Sequence, residues 1–151
     1  MQPRILGIAT LLLPMLLLAS CRTATAPTAG GGALDQWLVA LRQQGLAVAP
    51  AERVPPDVNR FFTVPAQQVS VNGSRLSAFE YPSADAATAD AARVSADGQP
   101  NPLAQITWVS TPRFYRQGAL IVLYVGCTAE IVQALDGTLG PAFVVGAQPC
   151  R

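Results

Sequence analysis

The run Ala119–Val125 constrains the fold of this chain more than any other stretch, because it is apolar at each of its seven positions. A strand with one face in water alternates apolar and polar residues, whereas a strand covered on both faces stays apolar throughout. We therefore expect a central strand that is buried on both faces, and a fold built around its sheet.

A hairpin is predicted at Asn72-Gly73, since both residues of this pair tolerate the positive φ that a type I′ turn requires. Strand-like runs flank it at Phe61–Val71 and Ser74–Tyr81. Pro65 favours an edge position for the first of these strands. A two-residue turn places apolar side chains on both faces of the hairpin, so either both faces are covered or a bulge intervenes. The side chains concerned are Val69 and Leu76 on one face and Phe79 and Tyr81 on the other.

Three segments have the features of helices, either apolar residues at helical spacing or an Ala-rich composition behind a capping residue. They run from Leu34 to about Gly45, from Ser83 to about Val94 and from Thr128 to Gly140. We predict a third strand at Ile106–Val109 and a turn at Pro112–Gly118. The segment Ala47–Arg60 contains three prolines and is predicted to be an irregular connection.

The predicted fold class is α+β, with a four-stranded, largely antiparallel sheet, helices on at least one face and an extra N-terminal helix. After residue 60 the order of elements is ββαββα. A shift of 45 residues places Gly73 on Gly118 and brings the two ββα halves into phase. An internal repeat is one interpretation of this match, and chance similarity is the other. An open β-sandwich with short helices is an alternative fold that the Ala-rich segment disfavours.

The first 20 residues have the layout of a secretory signal, with a short basic start that ends at Arg4 and a Leu-rich uncharged run behind it. That run is 17 residues long up to Cys21 and is interrupted by Gly7 and Pro14, so a membrane-spanning helix is the weaker interpretation. Leu18–Cys21 reads Leu-Ala-Ser-Cys and resembles a bacterial lipobox. In proteins with this motif the signal is cleaved before the cysteine, whose thiol receives a diacylglycerol. The alternative is a plain secretory signal with an incidental Cys21.

We therefore divide the chain into a lipoprotein signal peptide (1–20), a lipidated Cys21 with a flexible tether (21–32) and a single α+β domain (33–151). The tether is rich in Thr, Gly and Ala, and a flexible segment of this length spans roughly 18 Å. The predicted location is the cell envelope, on the extracytoplasmic face of a bacterial membrane, which the protein contacts through its lipid.

The charge pattern disfavours nucleic acid as a partner, because nine Arg balance nine acids once the signal is removed. We predict no cofactor and no metal site, since the chain has no His, no Cys-x-x-Cys and no EF-hand-like carboxylate cluster. We assign no catalytic residue either, because acid–base chemistry would depend on scattered carboxylates that are expected in solvated or capping roles. These carboxylates are Asp57, Glu80, Asp85, Asp90, Asp97, Glu130 and Asp136.

Cys127 and Cys150 remain besides Cys21, and two leftover thiols in an oxidising compartment usually pair. Their disulfide would stabilise the fold by about 3 kcal/mol in the chain-entropy model. The alternative is that Cys127, at a helix N-terminus, is a nucleophile with a lowered pKa. That interpretation is disfavoured because the chain offers no His as its base.

Arg113, Phe114, Tyr115 and Arg116 form the best candidate binding patch, because aromatic rings flanked by arginines are common at binding hot spots. Such a patch could stack on a sugar or an aromatic group of an envelope partner. The alternative is that Phe114 and Tyr115 cover the end of the core while both arginines are solvated.

Several stretches between Leu34 and Phe143 resemble a family of small uncharacterised bacterial exported proteins and lipoproteins. They include Val69–Gly73, Phe79–Tyr81, Ile106–Trp108, Pro112–Tyr115, Leu120–Gly126 and Leu139–Pro141. The family has no assigned activity, so the resemblance implies export but no catalytic or binding residue. Members often have His at the position of Arg113 and an acid at that of Cys127, which argues against an essential catalytic role for either residue.

These observations favour a membrane-anchored lipoprotein that is a non-enzymatic interaction or envelope-structural module, with an envelope protein or glycan as its partner. Two alternatives stay open, an extracytoplasmic enzyme that uses carboxylates and a carrier of a small apolar ligand. An enzyme needs a concave site with converging polar groups, a carrier needs an apolar cavity, and an interaction module needs an exposed patch.

Overall fold

The computed structural model describes residues 31–54, 61–100 and 106–150. The described helices are α1 (Ala33–Gln43), α2 (Ala84–Ala91) and α3 (Ala129–Leu139). The described strands are β1 (Val48–Val54), β2 (Ala66–Val71), β3 (Ser74–Glu80), β4 (Pro112–Gln117), β5 (Leu120–Val125) and β6 (Val144–Val145).

The strands form one antiparallel sheet in the order β1-β2-β3-β5-β4-β6. The α+β class is confirmed, but the described sheet has six strands where four were predicted. β5 lies between β3 and β4, and its Ile121 and Val122 are fully buried on opposite faces. The predicted central strand is therefore confirmed.

Helices cover both faces of this sheet. On one face, α1 and α3 pack over an apolar cluster that includes Val69 and Leu76. On the other face, α2 packs over a second cluster that includes Phe79 and Tyr81. The hairpin thus has two covered faces, and the open β-sandwich alternative is wrong.

The helix boundaries follow local signals in the sequence. Ser83 is the N-cap of α2, as predicted, and its Oγ accepts a hydrogen bond from the Ala86 N–H at 3.2 Å. α3 ends at Leu139, and its C-cap is Gly140, which has a positive φ of 80°. Thr128 is the N-cap residue of α3 but makes no side-chain capping bond, and its N–H donates to the Tyr124 hydroxyl instead.

The prediction of an irregular connection at 47–60 is wrong for its first half, because β1 occupies Val48–Val54. β1 is an edge strand, and a proline is tolerated there because one side of the strand forms no hydrogen bonds with a neighbouring strand. The register of its pairing with β2 shifts between Pro50 and Arg53. The edge position predicted for the strand that contains Pro65 is also wrong, because β1 takes the edge instead. β2 begins just after this proline and pairs with β1 on one side and β3 on the other.

The assignments around residue 110 are also corrected. The segment 112–118, predicted as a turn, contains β4, and the turn is confined to two residues between Gln117 and Leu120. Residues 106–109, predicted as a strand, are not in the sheet. On the side away from β5, β4 pairs with β6.

The hairpin-and-helix order occurs twice, as β2-β3-α2 and β4-β5-α3, but the two helices lie on opposite faces. Gly73 is the second residue of its turn, whereas Gly118 is the first residue of the other. The shift of 45 residues therefore places Leu76 on Ile121, two residues that face opposite sides of the sheet. The two halves therefore share the order of their elements, but the side chains that the shift matches lie on opposite faces of the sheet.

Candidate functional site

The structure separates the four residues of the predicted binding patch, because successive residues of a strand point to opposite faces. Phe114 and Tyr115 are both fully buried, one in each apolar cluster. Arg116 is exposed, and its Nη1 donates a hydrogen bond to Thr88 Oγ1 on α2 at 2.9 Å. The alternative interpretation, in which the two rings belong to the core, fits this arrangement.

Tyr115 is held in its neutral form. Burial, with a smaller contribution from the nearby negative charge of Asp136, raises the pKa of its hydroxyl to about 12. The phenol is therefore protonated at physiological pH and has no means of acting as a general base there.

Cys127 and Cys150 form a disulfide, with Cα atoms 5.6 Å apart. The predicted pairing is confirmed, and Cys127 has no free thiol to serve as a nucleophile. The bond ties the C-terminal segment to the junction between β5 and α3. Thr111 reinforces this connection, because its Oγ1 donates a hydrogen bond to the Gln148 carbonyl oxygen at 2.5 Å.

A cavity of about 320 Å³ lies next to the disulfide. Two of its lining residues, Trp108 and Gln148, each have a buried polar atom, Nε1 and Oε1, that has no hydrogen-bond partner among the described residues. The lining residues are Thr107, Trp108, Val109, Gln148 and Pro149. Sequence reasoning missed this site, because its walls are some 40 residues apart along the chain. The predicted disulfide was the available signal, since it brings the C-terminal residues back to the sheet.

The indole ring of Trp108 is fixed by two aromatic neighbours. Phe61 stacks on it with ring centroids 5.6 Å apart, and Phe114 meets it edge to face at 6.1 Å. Only 9% of Trp108 is exposed, whereas the adjacent Val109 is 81% exposed. The cavity therefore has a rigid aromatic wall and an apolar residue in solvent beside it.

A buried carboxylate, Asp90 on α2, is the most strongly hydrogen-bonded acid that the structure describes. It accepts bonds from Thr63 N at 2.8 Å, Thr63 Oγ1 at 2.7 Å, Tyr81 Oη at 2.9 Å and Arg93 Nη1 at 2.9 Å. Burial acts to raise its pKa, but these bonds together hold the pKa below the ordinary value. Burial and the hydrogen bond to Asp90 raise the pKa of Tyr81 far above its usual range.

Asp90 thus joins α2, the end of β3 and the segment at Thr63. The expectation of a solvated or capping role does not fit this residue, which is only 5% exposed. All of its bonds go to groups of the fold, and its charge is matched by the salt bridge to Arg93. The geometry is that of a structural connection.

Other carboxylates among the acids considered in the sequence analysis also connect elements of the fold through hydrogen bonds. Glu80 accepts a hydrogen bond from the Leu34 N–H at the start of α1, and Glu130 accepts one from Asn72 Nδ2 in the hairpin turn. A hydrogen bond from Ser95 is the main reason that the pKa of Asp97 lies below its ordinary value. Asp57 lies outside the described residues. Within the described ranges, no group of acids and cysteines could hold a metal ion.

A second cavity, of about 350 Å³, lies on the other face of the sheet, between α1, α3 and the β4–β5 turn. Its main polar contact is internal, because Trp37 Nε1 donates to Thr138 Oγ1 at 3.2 Å. The indole nitrogen of Trp37 is therefore paired, in contrast to that of Trp108.

The predicted lipidation residue Cys21, with the signal and most of the tether, lies outside the described residues. Among the helices that the structure does describe, none has the length and apolar character needed to cross a bilayer. Comparison with models of protein families, with curated proteins and with solved structures found no match for this chain.

Proposed function

We propose that the protein is a bacterial lipoprotein held on the extracytoplasmic face of a membrane by a lipid on Cys21. Its domain (33–151) acts as an interaction or envelope-structural module and not as a catalyst. The partners in this proposal are the membrane, through the lipid, and an envelope protein or glycan. The resemblance to small exported bacterial proteins agrees with this location.

The disulfide between Cys127 and Cys150 is the observation that carries the proposal. Cytosolic proteins are kept reduced, whereas disulfides persist in exported proteins. A stable disulfide therefore supports the same route that the Leu18–Cys21 motif and the signal-like start indicate. Two independent features, one at each end of the chain, favour export.

The lipid is sufficient to hold the domain on a membrane without a spanning helix. A single acyl chain binds a bilayer only marginally, at about 0.8 kcal/mol per buried CH₂, whereas two chains bind stably. A diacylglycerol on Cys21 supplies two chains. The Thr- and Gly-rich tether then allows the domain to stand off the surface.

The hydrogen bonds of the carboxylates support a module over an enzyme. Asp90, Glu80 and Glu130 are each bonded to groups that hold elements of the fold together. A general acid or base must instead be free to reach a substrate. The cavity beside Trp108 favours a module that binds a ligand over one that is purely structural.

Intact-mass analysis of the membrane fraction tests this proposal. The wild-type chain should begin at Cys21, carry acyl mass and gain the mass of two hydrogens on reduction. Cys21→Ala should lose both the acyl mass and the membrane association. The matched control is the double variant Cys127→Ala/Cys150→Ala, which also loses cysteines but should stay lipidated. A wild-type chain without acyl mass would refute the anchor.

A further inference from the structure

The cavity between α1, α3 and the β4–β5 turn has an apolar interior. Its floor is formed by the buried side chains of Trp37 and Leu120. Its walls include the half-buried side chains of Ala33, Ala40 and Ala119. The other lining residues are uncharged as well, and they are Gln36, Gln117, Gly118 and Thr138. Because an ion in this cavity would find no counter-charge among its described walls, the cavity suits an uncharged apolar group.

The chain enters the domain at this cavity. Gly32, the last residue of the predicted tether, lies against the Glu80 carboxylate, and a side chain in its place would collide with that group. The same carboxylate accepts a hydrogen bond from the Leu34 N–H at 3.2 Å, which fixes the first turn of α1. Glu80 pairs across the sheet with Leu120, which forms part of the cavity floor. The end of the tether is therefore held beside the cavity.

We propose that this cavity takes one acyl chain of the lipid on Cys21. The inference rests on the proposed function, because it needs that lipid. The tether joins Cys21 to Ala33 in the cavity wall, and a flexible segment of this length spans roughly 18 Å. Short flexible linkers give effective concentrations on the order of millimolar, so even a weak site is filled from the same molecule.

The size of the cavity suits most of one acyl chain. Its volume is about 350 Å³, whereas an apolar cavity of about 150 Å³ takes one benzene ring. On that scale the cavity takes roughly a dozen carbon atoms. The room exists because Ala33, Ala40 and Ala119 have small side chains, so a larger residue at one of these positions fills it.

The consequence is a membrane anchor that loosens and tightens. Two acyl chains hold a protein on a bilayer stably, whereas one chain holds it only marginally. When the cavity takes one chain of the diacylglycerol, a single chain is left in the bilayer and the protein dissociates more readily. The cavity therefore stabilises the form of the protein that has left the membrane.

Quenching of Trp37 fluorescence reports an acyl chain in the cavity. The chain has two Trp residues, so Trp108→Phe leaves Trp37 alone. The acylated protein is compared with the same protein after a lipase has removed its ester-linked acyl chains. The probe is brominated lauric acid, whose bromine quenches an indole that it contacts. We expect saturable quenching in the lipase-treated protein and at least about threefold weaker probe binding in the acylated protein, because its own chain competes.

A matched pair of variants locates the probe. Ala40→Leu fills the cavity from a helix position that tolerates leucine, and it should abolish the quenching. Ala89→Leu makes the same change at an exposed position of α2, on the other face of the sheet, and should leave the quenching unchanged. Where Trp108→Phe does not fold, wild type is compared with Trp37→Phe, since the quenching that this variant loses belongs to Trp37.

Transfer between phosphatidylcholine vesicles tests the effect on the anchor. Acylated Ala40→Leu should move from donor to acceptor vesicles at least about tenfold more slowly than acylated wild type, because sheltering only two CH₂ groups from water already gives about that factor. Acylated Ala89→Leu should move at the wild-type rate.

Three outcomes would overturn the proposal. The first is no saturable quenching in the lipase-treated protein. The second is equal probe binding by acylated and lipase-treated protein, which would mean that the cavity takes free fatty acids and not the protein's own lipid. The third is equal vesicle transfer of wild type and Ala40→Leu. A protein whose intact mass shows no acyl chain refutes the anchor as well, whereas an acylated protein that fails these tests refutes this inference alone.

Discussion

Removal of the Asp90 carboxylate is the most informative stability test, because this one group accepts four hydrogen bonds. In Asp90→Ala, the Tyr81 hydroxyl stays buried and loses its acceptor, whereas Thr63 and Arg93 are exposed enough to bond to water. The loss of a charged hydrogen bond costs about 1.5–3 kcal/mol, and the bonds that water partly replaces add about 0.5–1 kcal/mol each. We expect the free energy of unfolding to fall by about 3–6 kcal/mol at pH 7.

Asp90→Asn is the matched variant, because it keeps the shape and one acceptor oxygen but removes the charge. It should lower the free energy of unfolding by about 1–3 kcal/mol. The pH dependence has a defined sign, since the folded-state pKa of Asp90 lies below the unfolded value of 3.8. The stabilisation is fully present above that unfolded value and is lost as the pH falls through the lower folded-state pKa.

Urea unfolding of wild type, Asp90→Ala and Asp90→Asn between pH 7 and the acid limit of folding measures these differences. The wild-type advantage over Asp90→Asn should be constant at neutral pH and shrink in acid. An Asp90→Ala variant within about 1 kcal/mol of wild type would refute the structural role, since a buried hydroxyl without an acceptor costs at least that much. A wild-type advantage that is independent of pH would refute the charged state.

Three further changes test other parts of the structure by urea unfolding. Phe114→Ala should lower the free energy of unfolding by about 3–5 kcal/mol because the ring is fully buried. A smaller loss would favour the surface position that the predicted binding patch requires. Arg116→Ala should change it by less than about 1 kcal/mol, because its hydrogen bond to Thr88 is exposed, and a larger loss would show a buried role. Cys127→Ser paired with Cys150→Ser should cost about 3 kcal/mol, since the disulfide spans 23 residues, and an unchanged stability would mean that the bond does not constrain the unfolded chain.

The segment around Phe114 shows why sequence reasoning failed where it did. A proline and a glycine at the two ends of 112–118 suggested a turn that follows a strand at Ile106–Val109, whereas the strand lies at Pro112–Gln117. A strand is stabilised by the partners on either side, and this information is not local. β1 was missed for the same reason, because the prolines that exclude a central strand are tolerated at an edge.

The candidate site beside Trp108 was not predictable from the sequence, because it too depends on residues that are distant along the chain. Its donor and acceptor lie on two irregular segments, and neither segment has a periodic pattern. What makes them a site is the absence of a partner for Trp108 Nε1 and Gln148 Oε1, and that property exists only once all neighbours are in place.

The sequence by itself determined the features that depend on a few adjacent residues. These are the apolar strand at 120–125, the turn at Asn72-Gly73, the N-cap at Ser83 and the pairing of Cys127 with Cys150. Tertiary structure alone decided which strands are neighbours, which face each helix covers, and that Asp90 is buried while the indole nitrogen of Trp108 is left unpaired. The physical reason is that local preferences arise from backbone geometry and side-chain type, whereas pairing, burial and hydrogen-bond satisfaction depend on groups that are distant along the chain.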